Sequence, residues 1–396
     1  MPRYNGGFIG TDGLDAPDAP TIDSVSAGGA SISVSFTAPT DTGTSAITGY
    51  VAQASTDGTA YSAGSNTGTS SPITISSLTN GTAYTAKVWA INAYGTSAPS
   101  GASDSATPIA PRAVIALGQH ASNGNQAGID FFDISSTGNA SDFGDLSQTR
   151  VSMGSGGGSS TRGMFAGGTG GASVGNTIDY VTIASAGNAT DFGNLIENQA
   201  GCSSLSNSTR FITGGGGTSP YNRIQYVTIA NTGNATDFGE LTSQKAEFYS
   251  TANSTRGLWF AEGGAGSDDI EYVTIASTGN ATDFGNMTVS CESSAALASS
   301  TRALHGGGSG DINNIGYITI ASTGNATDFG DLTVGRTRMG GTSSSTRGVF
   351  CGGITSGSGV IDYVTIASVG NATDFGDMTQ ETQFTSPTSA AHGGVQ

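Results

Sequence analysis

The stretch Tyr272-Val273-Thr274-Ile275-Ala276-Ser277-Thr278-Gly279-Asn280-Ala281-Thr282-Asp283-Phe284-Gly285 recurs in close copies along the chain. It opens with a β-branched and aromatic run, breaks at Gly-Asn, where positive φ is readily adopted, and resumes in a second run: two strands and their turn. Its Asp-Phe-Gly stands at Asp142, Asp191, Asp237, Asp283, Asp328 and Asp374, at spacings of 49, 46, 46, 45 and 46 residues. That period suits a four-stranded unit and exceeds that of leucine-rich or ankyrin repeats. Six copies imply six units.

Working outward, the copy from Met339 to Met378 reads as four strands. A small-residue strand (Met339 to Ser345) leads through Thr346-Arg347-Gly348 to Val349-Phe350-Cys351, which ends in Gly352-Gly353. Ile361 to Ile366 and Ala372 to Met378 follow, the former with bulky residues on both faces, as a doubly covered strand requires. Runs such as Gly154 to Ser160 fit only where strands crowd together. The first copy begins at Ala113 to Leu117 without a small-residue strand, and Phe384 to Gly394 aligns with the missing one. The C-terminal strand is therefore expected to complete the first unit and remove both sheet edges.

This order resembles the kelch repeat: an inner strand, an apolar strand ending in Gly-Gly, a tyrosine-bearing strand and an aromatic-bearing outer strand, with Phe at the usual Trp position. The double glycine recurs at Gly167-Gly168, Gly214-Gly215, Gly263-Gly264 and Gly306-Gly307. Residues 16–111 carry Phe36-Thr37-Ala38-Pro39, Ile47-Thr48-Gly49-Tyr50, Leu78-Thr79-Asn80-Gly81-Thr82-Ala83-Tyr84 and Asn92-Ala93-Tyr94-Gly95. These resemble bacterial and phage fibronectin type III domains, with Phe36 replacing a Trp and Tyr84 as the corner tyrosine. The expected fold is all-β: an arm (1–15), a fibronectin type III β-sandwich (16–111), and a six-bladed kelch-like β-propeller (112–396) closed by the C-terminal strand.

Composition agrees and narrows function. Gly contributes 63 of 396 residues and charged residues 11%, which favours tight turns over helices. A net charge of −17 repels phosphate backbones, so nucleic acid is not an expected partner. No run approaches the roughly 20 apolar residues that span a bilayer, so no membrane insertion is expected, and the first ten residues show no secretory h-region. Cys202, Cys291 and Cys351 fall at unmatched places and read as buried small hydrophobes.

No catalytic set emerges, and neither enzyme activity nor a cofactor or metal is expected. Six Asp-Phe-Gly copies in a β-repeat are not a kinase motif. Asn139, Asn188, Asn234, Asn280, Asn325 and Asn371 head Asn-Ala-Thr/Ser triplets and read as turn residues. Acid pairs such as Asp142 with Asp145 lose an acid at Asn194 and Asn286, against calcium. Arg112, Arg162, Arg210, Arg256, Arg302 and Arg347 recur at one turn and are expected to brace neighbouring units through carboxylates or backbone carbonyls; a ring of cations for an anion is the alternative. His120, His305 and His392 lie in different copies and build no triad.

The two turn faces differ. Ser-Thr-Arg-Gly and Thr-Gly-Asn are nearly invariant, whereas the loops after Gly-Gly and between units vary, which marks the recognition face. Its candidates are His120, Asn123, Tyr221, Asn222, Arg223, Lys245, Phe248, Tyr249, Asp268, Asp269, Asp311 and Asn313. The arrangement resembles marine, cyanophage-like bacteriophage virion structural proteins. That resemblance implies a tail or fibre component present in many copies, docked to other virion proteins through Tyr4, Phe8 and Ile9, and binding a host-surface glycan or protein. A purely architectural decoration protein of the capsid or fibre, and a propeller carbohydrate-active enzyme, are the alternatives.

Overall fold

The computed structural model describes residues 14–108, 110–120, 122–170, 173–217, 222–260, 268–290, 293–354 and 359–395. These are built of strands with one 3-10 turn, Gly393–Val395, and no α-helix occurs among them. The arm residues Tyr4, Phe8 and Ile9, together with Tyr221 and Cys291, lie outside the described residues. The chain divides into two compact units between Ala110 and Pro111.

The N-terminal unit is a sandwich of two antiparallel sheets. One runs in the order Thr21–Gly28, Ser31–Thr37, Ile73–Ile75, and the other Gly64–Gly68, Ile47–Ser55, Thr85–Asn92, Gly95–Thr96. Strict alternation explains the layering: Ile32, Val34 and Phe36 point inward from one sheet and Ala86, Val88 and Ala90 from the other. Phe36 packs on Tyr50 with ring centroids 4.7 Å apart, and Tyr84 Oη accepts the Thr79 N–H at 3.1 Å, as a corner tyrosine does.

The second unit contains six four-stranded antiparallel sheets, each with one Asp-Phe-Gly on its outermost strand. In the third, the order from inner to outer is Ser203–Ser206, Arg210–Gly214, Arg223–Thr228, Thr236–Glu240. The fourth (from Tyr249–Ala252), fifth (from Ala295–Ala298) and sixth (from Gly340–Ser343) repeat it, and the second begins at Gly157–Gly158. In the first, Ser386–Ser389 pairs antiparallel with Arg112–Ala116, so the C-terminal segment supplies its inner strand as the repeat alignment requires.

Four recurring devices join successive sheets. Each turn arginine sends Nη1 to the carbonyl of the isoleucine just after the next sheet's third strand: Arg112 to Ile183, Arg162 to Ile229, Arg210 to Ile275, Arg256 to Ile320, Arg302 to Ile366, and Arg347 to Ile134, at 2.5–3.1 Å. Their guanidiniums also lie over an aromatic ring of their own sheet, as Arg162 does over Tyr180 at 4.9 Å. Bracing thus runs through carbonyls and not carboxylates.

The Asn-Ala-Thr/Ser asparagines are more than turn residues. Asn188 Oδ1 accepts the Asp145 N–H of the preceding sheet at 3.1 Å, while Gly187 N donates to Phe143 O and Ala189 N to Asp145 O. Equivalent clamps recur at each joint, through to Asn139 holding Asp377 N at 3.1 Å. Each exposed outer edge is thereby covered by the next sheet's chain. The Asp-Phe-Gly glycine is what admits that chain, since a Cβ on Gly144 would stand 2.6 Å from Gly187 C.

The inner strands lean on hydroxyls. Ser206 Oγ donates to Gly158 O, Ser250 Oγ to Ser204 O, Ser343 Oγ to Ala298 O and Ser389 Oγ to Ser343 O, each crossing between sheets at 2.5–2.8 Å. The Ser-rich inner runs therefore bond their neighbours through side-chain hydroxyls, beside a backbone contact such as Ser204 N to Ser155 O.

The fourth device is a buried polar pair. In three copies the residue eight after the Asp of Asp-Phe-Gly meets the centre of the next sheet's third strand, giving Arg150–Asp179 (2.6 Å), Lys245–Glu271 (3.1 Å) and Arg336–Asp362 (2.9 Å), every member buried. The same positions hold Gln199 with Gln225, and Thr382 with Asp130.

Candidate functional site

Among the sequence candidates, Lys245, Phe248 and Tyr249 are corrected: they are buried, not presented. Lys245 is 1% exposed and pairs with Glu271, while Phe248 and Tyr249 sit in two inter-sheet cores. The connection carrying them reads as a polar loop in isolation, but the neighbouring sheet covers it.

The remaining described candidates lie where the third strands begin, at one end of the sheets, and separate by sheet. His120 is half-buried, its Nδ1 accepting Ser122 N and Asn123 N at 3.0 and 3.1 Å, which leaves Asn123 exposed at the loop tip. Asp268 and Asp269 open the fourth sheet's third strand, with Asp269 exposed; Asp311 and Asn313 are exposed beside the fifth. Of the described candidates, Asn222 and Arg223 line a concave site.

That site is a groove of about 280 Å³ lined by Asn222, Arg223, Asp237, Gly239, Glu240 and Asn280. The antiparallel register places Arg223 opposite Glu240, and the inter-sheet clamp brings in Asn280, whose Oδ1 takes Glu240 N at 3.1 Å. Arg223 is held at both ends: Nη1 lies 2.8 Å from Asp237 Oδ1 and Nη2 3.3 Å from Glu197 Oε1. Sequence reasoning found two of the lining residues and missed Asp237 and Asn280, which are repeat constants, and Glu240, whose position varies among Asp, Asn and Glu. The available signal was Arg223 itself, the lone base at a position that is Gly128, Thr177, Asp269, Asn314 and Val360 in the other copies.

A second cavity is lined by inner-strand residues of all six sheets, among them Gly157, Ser206, Thr251, Leu297, Thr342 and Thr388, and by His392. It holds about 20 Å³, room for a single water and nothing larger. His392 Nδ1 accepts Gly394 N, so the neutral ring donates from Nε2 to Gly158 O at 3.1 Å, and burial lowers its pKa to about 4.

Elsewhere, burial governs Cys202, Cys351 and His305. Burial pushes Cys202 and Cys351 up to about 12, far from thiolate chemistry. His305 is buried against Phe260 and drops to about 4 for the same reason. Among the described residues, no three or more His, Cys, Asp or Glu side chains converge as metal ligands, and no helix is long and apolar enough to cross a membrane.

The N-terminal geometry, two facing antiparallel sheets with a corner tyrosine, defines an immunoglobulin-like β-sandwich. Residues 15–105 match the family model of the fibronectin type III domain, and this unit is a fibronectin type III β-sandwich. No curated protein matches the chain.

Proposed function

We propose that the six sheets are blades of a six-bladed, kelch-like β-propeller closed by the C-terminal strand, and that the chain is a non-enzymatic bacteriophage virion protein. In this reading the fibronectin type III unit is a spacer, the N-terminal arm meets other virion proteins, and the propeller is a head that binds a host-surface glycan or protein. The cyclic series of joints, in which Arg347 returns to Ile134 and Asn139 to Asp377, supports blade closure.

The observation that carries the functional reading is the contrast between the two ends of the sheets. At one end the arginine and asparagine turns are fixed by the joints they make. At the other, side chains released from that duty differ in every sheet, a pattern suited to recognition on a rigid scaffold. Immunogold labelling of phage particles, paired with binding of the purified chain to host cells, tests it. Labelling at a tail or fibre tip with saturable cell binding is the expected result. Capsid labelling without cell binding favours decoration, and unlabelled virions overturn the virion assignment.

A further inference from the structure

We infer that the Arg223 groove is a carbohydrate subsite, taking a neutral polyhydroxylated ligand at the edge of the third sheet; this rests on the recognition reading above. Four observations lead there.

The groove is large enough to matter. Its volume of about 280 Å³ approaches the lower end of small-molecule sites, whereas the axial cavity admits only a water. It is also not demanded by the fold. Five other sheets repeat the same joint without a base at this position, and the Arg223–Asp237 pair, 29% and 62% exposed, adds little stability.

Charge then selects the ligand class. Within the groove Arg223 faces Asp237 and Glu240, one cation against two carboxylates, and outside the lining Glu197 also pairs with its guanidinium, so the groove carries a formal −1 and disfavours anions, as does a chain of net charge −17. A metal cation is disfavoured because Asp237 Oδ1 is already taken by Arg223, and no three ligating side chains converge among the described residues.

What remains is a surface of fixed donors and acceptors. The Asn222 and Asn280 amides and the Arg223 guanidinium donate, while the Asp237 and Glu240 carboxylates accept. Sugar hydroxyls do both at once, and planar side chains already oriented by ion pairing lose little freedom on engaging them.

The test is saturation-transfer NMR and titration calorimetry on the full chain. The probes are neutral saccharides (lactose, maltose, methyl α-mannoside, N-acetylglucosamine), with N-acetylneuraminic acid and spermidine as anionic and cationic arms. Saturable binding of at least one neutral probe is expected, weakened about tenfold or more by Arg223→Ala and by Asn222→Ala and unchanged by Thr177→Ala, the matched position of the second sheet. Thermal unfolding midpoints should not move, and Glu240→Gln supplies a further variant should one fold poorly. The inference is overturned if no neutral probe binds, if binding survives both alanine variants, or if a charged probe is preferred. Host-cell binding that persists in Arg223→Ala would sink this subsite while leaving the recognition reading intact.

Discussion

At the scale of single residues, the joints obey a pairing rule internal to the chain. Where the third strand offers an acid at its centre, the preceding connection offers a base in three cases; where it offers Gln225, the connection offers Gln199. Lys245→Met should therefore strand Glu271 in a dry interface and cost about 3–5 kcal/mol. Lys245→Gln with Glu271→Gln, copying the residues Gln199 and Gln225 at the matched positions of another joint, should recover most of it; urea denaturation decides, and an unharmed single variant would refute the pairing rule. Asp130 breaks the pattern, since Thr382 brings no charge and Thr379 alone bonds the carboxylate. Burial raises its pKa, so the native state holds that proton more tightly than the unfolded chain, and its contribution declines as pH rises through the folded value. The histidines act oppositely. With His305 and His392 lowered to about 4 against 6.5 for a free ring, their contribution is complete above 6.5 and is lost as pH falls from there toward 4. Denaturant midpoints measured between pH 7.5 and 4 should fall accordingly, and His305→Phe, matching Phe165 and Phe350 in other sheets, should flatten part of that slope.

At the scale of elements, much was legible because the sequence repeats: the period, the four strands per copy, the turn arginines and the return of the C-terminal strand. What escaped is what local pattern does not encode. Thr21–Gly28 has a largely exposed face and Gly64–Gly68 is built of turn residues, so neither announces itself as a strand. Phe248 ends a connection and Tyr249 opens the inner strand that follows it, and the neighbouring sheets make both core. The role of Asn-Ala-Thr as a clamp was equally hidden, because its partner lies a whole repeat away. Glycine distinguishes the two sides of that clamp. Gly144 and Gly187 both have positive φ, but only at Gly144 would a Cβ meet the neighbouring backbone. Gly144→Ala should cost about 2–3 kcal/mol and Gly187→Ala only about 1 kcal/mol of conformational strain, measured by thermal unfolding. Equal losses would mean that backbone conformation, and not close approach, fixes the Asp-Phe-Gly glycine.

At the scale of the molecule, the two units place their stability differently. The sandwich has its own core of Ile32, Val34, Phe36, Tyr50, Ile75 and Val88, independent of any repeat. The second unit has none that belongs to one sheet: Val349, Cys351 and Ile361 of the sixth share a core with Ala113, Ile115 and Phe132 of the first, and the same sharing recurs between other neighbours. A sheet deprived of a neighbour therefore loses one side of its core and the hydrogen bonds of one joint together. Ser386–Ser389 is where this dependence is most concentrated, because that one strand completes the first sheet and carries Ser389 to Ser343 of the sixth. Removing residues 384–396 should consequently abolish the second unit's cooperative unfolding transition instead of trimming it, and leave the fibronectin type III transition at its original temperature. Calorimetry of the truncated chain separates the outcomes. A second unit that still unfolds cooperatively, merely a few degrees lower, would show that the six sheets hold together without closure, and the propeller reading would then lose its structural rationale.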